Sequence, residues 1–169
     1  MIRLAKQNDI DPIMDIIRET ATLLQAEGNP QWDETYPARS DFLADIAAEE
    51  LYVYEHEDKV CGVICLNTRE PEEYAPVQWS RPGPALVIHR FAVASWTRRQ
   101  GIGTAILQFA DRLAARQGLN CVKTDTYSLN PNMNRLFQRN GFHKVGEIDF
   151  KGKPRKFNCY EKCIIEEKI

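Results

Sequence analysis

Apolar positions change period along the chain, and the changes mark out its elements. After a short strand-like opening at residues 2–5, Ile10, Ile13, Met14, Ile17, Ala21 and Leu24 recur at helical spacing behind Asp9 or Asp11, residue types that open helices. Gly28-Asn29-Pro30 stops that helix, and a loop carrying Trp32 and Tyr36 runs to about Pro37. Residues 38–49 predict a second helix with Phe42, Leu43 and Ile46 on its apolar side. Two β-rich runs follow, 51–55 and 60–67, and the polar residues His56-Glu57-Asp58-Lys59 between them make a hairpin. Residues 68–83 hold three prolines and several glutamates and predict a long loop, which in compact domains is usually functional or disordered. Beyond it come a strand (85–93), a turn, a helix (102–117), a strand (121–127) and a helix (132–139). Two last strand-like runs, 142–150 and 155–164, are separated by Lys151-Gly152-Lys153-Pro154. Antiparallel β-rich stretches around a βαβα centre predict a mixed α/β sheet, built as one domain over residues 1–169.

Charge and cysteine usage narrow the class. A formal charge of −2 gives no general pull toward nucleic acid or anionic membrane, and no apolar run is long enough to span a bilayer. The N-terminus mixes charges at once and has no apolar signal core, so the expected location is cytoplasmic. Five cysteines form two C-x-x-x-C pairs, Cys61/Cys65 and Cys159/Cys163, with Cys121 apart. Both pairs lie in strand-like runs, where residues four apart share a face. The histidines are scattered at 56, 89 and 143, so the reading is reduced, mostly buried thiols and no metal site.

Residues 89–114 carry the most chemistry. A strand ends at Val93, a basic turn follows, and a helix starts within Arg98-Arg99-Gln100-Gly101-Ile102-Gly103, with Thr104 close behind. Ile102, Ile106, Phe109, Ala110 and Leu113 form that helix's apolar face. Glycines at 101 and 103 let backbone N–H groups crowd together. The helix N-terminus directs unpaired donors and its positive dipole end to the same place, and two arginines add charge. Such a turn suits a pyrophosphate, although R-x-x-G-x-G alone also describes a turn without a ligand. A P-loop is excluded, because no Gly-Lys-Ser/Thr occurs; a dinucleotide fingerprint fits poorly, because its third glycine position is Ile106.

The strand, R-x-x-G-x-G turn and helix together resemble the coenzyme A pyrophosphate loop of the GNAT acetyltransferases. A second block agrees: a strand ending at Tyr127, then Asn130, then a helix closing in Leu136-Phe137 and Gly141-Phe142, similar to the family's N-x-x-A-x-x-L-Y-E-x-x-G-F segment. The order of elements fits over nearly the whole chain. The resemblance implies a GNAT-like mixed, mainly antiparallel central sheet with two splayed parallel strands and flanking helices. It implies acetyl-CoA as cofactor, with backbone groups of Phe91, Ala92 and Val93 along its pantetheine arm. The turn of Arg98, Arg99, Gln100, Gly101, Ile102, Gly103 and Thr104 would take the pyrophosphate, and Asn130 and Asn134 would contact the cofactor near the second strand and helix. It further implies direct attack of an amine on the thioester in a ternary complex, with a backbone N–H around Val93 stabilising the developing oxyanion.

Other roles follow from residue chemistry on that frame. His89, two pleats before Val93 on a regular strand, is the first candidate base, with Glu49 and Glu50 as runners-up. The helix position that often holds a tyrosine is Phe137, so Tyr127 or Ser128 is left to protonate the thiolate, unless it leaves unaided. Neutralising a lysine-type amine at pH 7 costs about 4–5 kcal/mol against about 1 for an α-amine, so an enzyme lacking a strong base favours α-amines. Trp32, Tyr36, Glu73 and Trp79 combine acid and aromatic character suited to a cationic acceptor, either a small-molecule amine or a protein or peptide N-terminus. A non-catalytic acyl-CoA-binding protein on the same fold is the alternative. Transfer of longer acyl groups stays open, and so does a homodimer.

Overall fold

In the computed structural model, which describes residues 1–164, the elements follow the expected order. They are β1 (Ile2–Leu4), α1 (Ile10–Ala26), α2 (Arg39–Ala47), β2 (Leu51–His56), β3 (Lys59–Asn67), β4 (Leu86–Val93), α3 (Ile102–Arg116), β5 (Cys121–Tyr127), α4 (Pro131–Arg139), β6 (His143–Ile148) and β7 (Phe157–Cys163). The strands form one mixed sheet in the order β1-β2-β3-β4-β5-β7-β6, mostly antiparallel, with β4 and β5 as its one parallel pair among the described residues. The expected mixed α/β architecture is therefore the observed one. The chain groups into two compact units: Met1–Leu66 with His89–Ile106, and Asn67–Ile88 with the chain from Leu107 onward.

In the first unit, α1 buries Ile10, Ile13, Met14, Ile16 and Ile17, one helical face as the spacing predicts. The β2–β3 hairpin turns through Glu57 and Asp58, both left-handed (φ 50° and 60°), the geometry of a type I′ turn whose twist matches paired strands. Arg3 on β1 donates to Asp9 and to Glu55, tying the first strand to the start of α1 and to β2. Helix α2 ends in a Schellman motif: the Glu50 N–H donates to the Asp45 carbonyl and the Glu49 N–H to the Ile46 carbonyl, with Glu49 at φ 57°. The equivalent left-handed residues after α1, α3 and α4 are Gly28, Gly118 and Gly141.

In the second unit, β7 runs antiparallel between β5 and β6, and its side chains alternate between two unlike faces. Asn158, Tyr160 and Lys162 meet the helices, through Asn134 and Phe137 of α4 and Asp111 of α3. Phe157, Cys159 and Glu161 face the long β3–β4 loop instead. That loop is anchored rather than loose. Tyr74 is 1% exposed, and it packs with Val87, Tyr127, Ile148, Phe157 and Cys159 into one apolar cluster. The buried Glu161 carboxylate accepts from the Ser80 N–H at 3.1 Å and from the Ser80 hydroxyl. All five cysteines are free thiols, four of them buried. Among the described residues, no helix is long and apolar enough to cross a membrane.

Candidate functional site

The basic turn is built by a strand that stops and a helix that starts. After Val93, a single 3-10 turn over Ser95–Thr97 is locked by the buried Thr97, whose hydroxyl donates to the Ala94 carbonyl at 3.0 Å. Arg98, Arg99, Gln100 and Gly101 then stand exposed, with Arg99 at φ 66° and Gly101 at φ 75°. Two left-handed residues so close together curl the backbone and gather its N–H groups on the concave side. The Ala105 N–H donates to the Gly101 carbonyl at 3.0 Å as α3 begins, so the N–H groups of the helix start project from its end. No acidic side chain lies in the first turn of α3 to oppose an anion. A Cβ on Gly101 would meet nothing within 4 Å, so the glycine serves the positive φ rather than a close approach. Gly103 has no left-handed φ and sits within the helix. An exposed, cationic, acid-free helix start fits a pyrophosphate-bearing cofactor.

Strand β4 is not regular. Arg90 has φ 45°, a left-handed residue inside a strand. The sequence reading set His89, Phe91 and Val93 on one side of an alternating strand; Arg90 breaks that alternation. Phe91 and Ala92 are consecutive buried residues, while His89 and Val93 are both half-buried. Past the break, the Ala94 N–H donates to the Cys61 carbonyl of β3 at 2.7 Å. Neighbouring N–H groups in extended chain point opposite ways, so that of Val93 turns away from β3. The parallel β4–β5 ladder registers only Leu86↔Val122 and Val87↔Lys123, early on both strands.

The bulge has a partner the sequence gave no sign of. Arg90 donates to both carboxylate oxygens of Asp45 on α2, at 2.7 Å each, to the Tyr36 hydroxyl at 3.1 Å and to the Cys65 sulfur at 3.5 Å. Burial pulls the Arg90 pKa down, but the bonds and charge of Asp45 more than reverse this and raise it above the ordinary value. Tyr36, expected at the acceptor entrance, is here a ligand of Arg90. Trp32 is 6% exposed and packed into the core, its carbonyl accepting from the Gln25 side chain at 3.0 Å. Asp45, Glu50 and Cys65 bring metal-type ligand atoms within 4.8 Å of one another. The guanidinium already occupies Asp45, and burial pushes the Cys65 thiol up to about 12, far from the thiolate a metal needs. Glu49 is exposed.

In the second unit, Asn130 caps α4, its side chain accepting from the Met133 N–H at 3.2 Å with Pro131 in the first turn. Asn134 donates to the carbonyls of Tyr127 (3.0 Å) and Asn130 (2.7 Å) and accepts from Asn158 (2.9 Å) and the Tyr160 hydroxyl (2.6 Å). Two donors and two lone pairs are the whole capacity of an amide, so Asn134 has nothing left to offer the cofactor contact expected of it. Tyr127, expected as an acid, is 1% exposed, lies edge-on to Phe157 and accepts from the Arg155 N–H at 3.1 Å. Phe137 is 1% exposed between Phe142 and Tyr160, a core aromatic as its spacing predicts.

The acid and aromatic residues of the long loop turn out to hold a cation of the protein's own. Lys123 on β5 is 3% exposed; its ammonium pairs with Glu70 at 2.5 Å and lies 4.6 Å from the centre of the Trp79 ring. Lys123, Glu70, Val77, Trp79 and Arg81 line an open cleft of about 500 Å³. Glu73 is exposed. A pairing that sequence reasoning missed lies close by: the Tyr74 hydroxyl donates to Asp125 Oδ2 at 2.5 Å. The two residues stand 51 positions apart, and neither belongs to a motif.

The profile of the acetyltransferase (GNAT) family matches residues 12–142. A crystal structure of a GNAT-family acetyltransferase from Streptococcus agalactiae superimposes with a TM-score of 0.86 at 26% identity, covering 99% of this chain and 96% of that one. A proposed acetyltransferase from Staphylococcus aureus gives a TM-score of 0.77 at 31% identity, over 98% of this chain and 99% of that one. The uncharacterized N-acetyltransferase YesJ of Bacillus subtilis is 23% identical over 167 residues, 96% of this chain and 89% of its own. The match over most of the chain, on a fold carrying the basic turn and the interrupted fourth strand, places this protein in the GNAT family of acetyltransferases.

Proposed function

We propose that the chain is a single-domain enzyme that binds acetyl-CoA at the Arg98–Thr104 turn and transfers its acetyl group directly to a primary amine. The observation that carries this reading is the exposed turn, with its two arginines, two left-handed residues and unopposed helix start. Acetyl transfer from acetyl-CoA is general in the family. Bound there, the cofactor supplies an activated acetyl thioester. Arg98 and Arg99 neutralise its phosphates, and the backbone of Phe91, Ala92 and Val93 runs along its arm. The Val93 N–H, turned away from β3, is the donor for the carbonyl oxygen as negative charge develops on it. His89 is the candidate base, half-buried beside the bulge. The enclosed Tyr127 hydroxyl is not needed as an acid, because a thiolate departs readily by itself.

The test is calorimetric titration of acetyl-CoA and of coenzyme A into wild type and an Arg98→Glu/Gly101→Val double variant. Micromolar binding by wild type, weakened at least about 30-fold in the variant, fits reversal of one arginine's charge-assisted contact and a strained turn. Absence of binding to wild type overturns the reading. Binding without thiol release across a panel of amines favours the alternative, an acyl-CoA-binding protein without catalysis, to which the core placement of Phe137 gives some weight.

A further inference from the structure

Asp125 is held in a manner that packing alone does not explain. On β5 it pairs across to Cys159, so its side chain shares a face with Lys123 and Tyr127. That face is covered by the β3–β4 loop, whereas Asn134 and Phe137 lie against the opposite, helical face. The position is two residues beyond the last β5 residue in register with β4, Lys123. Its hydrogen-bond partner Tyr74 and its cross-strand neighbour Cys159 both belong to the buried apolar cluster of Val87, Tyr127, Ile148 and Phe157, against which Trp79 and Phe150 pack. A carboxylate there loses most of its hydration, and burial, the largest influence, raises its pKa together with the Glu73 charge, despite the Tyr74 hydrogen bond and the Lys151 charge. Among the described residues, Tyr74 is the one hydrogen-bond donor to it, through Oδ2. Oδ1 is not among the enclosed unsatisfied atoms, and the residue keeps partial exposure. Asp125 is thus an oriented carboxylate in an aromatic wall, with one oxygen open.

We infer that Asp125, fixed by Tyr74, receives the ammonium group of the acceptor, and that the acceptor is a primary amine with an aromatic or apolar body. The inference rests on the acetyltransferase reading for its purpose, though not for its geometry. The open oxygen supplies one charge-assisted hydrogen bond, and the rings of Trp79 and Phe150 offer apolar area to the body of the amine. Lys123, beneath Trp79, is already neutralised by Glu70, and the two further charges acting on Asp125, Lys151 at 5.0 Å from the centre of the Phe150 ring and Glu73, are of opposite sign, so the carboxylate itself supplies the charge that an ammonium meets. The inferred ammonium site and the proposed cofactor turn share no residue, so binding of amine and of cofactor is read by separate titrations.

The experiment titrates phenethylamine and 1,4-diaminobutane into wild type and Asp125→Asn by calorimetry, without cofactor, and acetyl-CoA into each protein alongside. Asn preserves an acceptor for the Tyr74 hydroxyl and removes only the charge. Phenethylamine affinity is expected to fall about 10- to 100-fold in Asp125→Asn, the worth of one charge-assisted hydrogen bond, with acetyl-CoA affinity unchanged. Wild type is expected to bind phenethylamine at least about 10-fold more tightly than the diamine. Equal phenethylamine affinity in both proteins, no phenethylamine binding by wild type, or preference for the diamine overturns the inference. Should Asp125→Asn fail to fold, amide resonances decide the matter in wild type. Phenethylamine must shift those of Asp125 and Lys151, and unmoved resonances overturn the inference equally. If the amine binds as described but acetyl-CoA does not, the ammonium site stands and the acetyltransferase reading falls.

Discussion

The pair of Arg90 and Asp45 is the sharpest place to test how the fourth strand is held in its interrupted shape. Both groups are largely enclosed, with side chains 14% and 6% exposed, and they meet through two bonds of 2.7 Å. Asp45→Ala leaves the Arg90 guanidinium with the neutral Tyr36 hydroxyl and Cys65 sulfur, and with Glu50, whose carboxylate lies within 4.8 Å of the Asp45 and Cys65 ligand atoms, as the nearest remaining counter-charge. Removing one partner of such a pair costs about 3–5 kcal/mol where the remaining charge is left without its bidentate partner, and Glu50 compensates only as far as it can reach the guanidinium. At about 2–4 °C per kcal/mol for a chain of this size, the melting temperature should fall by about 6–20 °C. Replacing both residues with apolar ones, Asp45→Leu/Arg90→Met, removes the stranded charge, and stability should return to within about 1 kcal/mol of wild type. Urea unfolding followed by circular dichroism reads all three proteins. An Asp45→Ala protein within 1 kcal/mol of wild type would show that solvent or Glu50 reaches the guanidinium. A double variant as unstable as the single one would show that the cost lies in α2 packing and not in charge.

Three further outcomes follow from other parts of the molecule. Glu49 occupies at the end of α2 the left-handed position that glycine holds after α1, α3 and α4. Glu49→Gly removes that strain and a negative charge from a helix C-terminus, and should raise stability by about 1 kcal/mol in urea unfolding, less the entropy glycine adds to the unfolded chain; a loss of stability would contradict the motif. Phe137→Ala empties a fully enclosed site between Phe142 and Tyr160 and should cost about 3–5 kcal/mol by the same assay, with a loss below 1 kcal/mol pointing to a solvent-exposed ring. The Arg3 hydrogen bond, the largest influence, holds the Asp9 carboxyl below its ordinary 3.8, so the folded state binds that proton less readily than the unfolded chain. Stability from this contact is therefore complete above about pH 4 and is lost as pH falls through the lowered value. The difference in urea midpoint between wild type and Arg3→Met should be constant near neutrality and shrink in acid; a constant difference down to pH 2 would refute the linkage.

Elements and family were legible in the sequence because both rest on local spacing. The helical period of Ile10 to Ile17, the polar residues between β2 and β3, and the Arg98–Gly103 turn each express a few consecutive residues obeying backbone geometry, and the structure shows each of them. Phe137 was readable as core for the same reason. Pairings between distant segments were not legible. Arg90 meets Asp45 across 45 positions and Tyr74 meets Asp125 across 51, and no periodicity encodes which charged side chain will face which. Strand alternation misplaced His89 relative to Phe91 because a left-handed φ at a non-glycine residue leaves no mark in composition. Trp79 had the chemistry of a cation site, but only the folded chain puts Lys123, paired with Glu70, against its ring. By itself the sequence determined where the chain turns and where a helix start follows two arginines. The tertiary structure decided which polar groups are already satisfied by one another and which, like Asp125 Oδ1, are left open, because hydrogen-bonding capacity is exhausted by contacts in space rather than by neighbours in sequence.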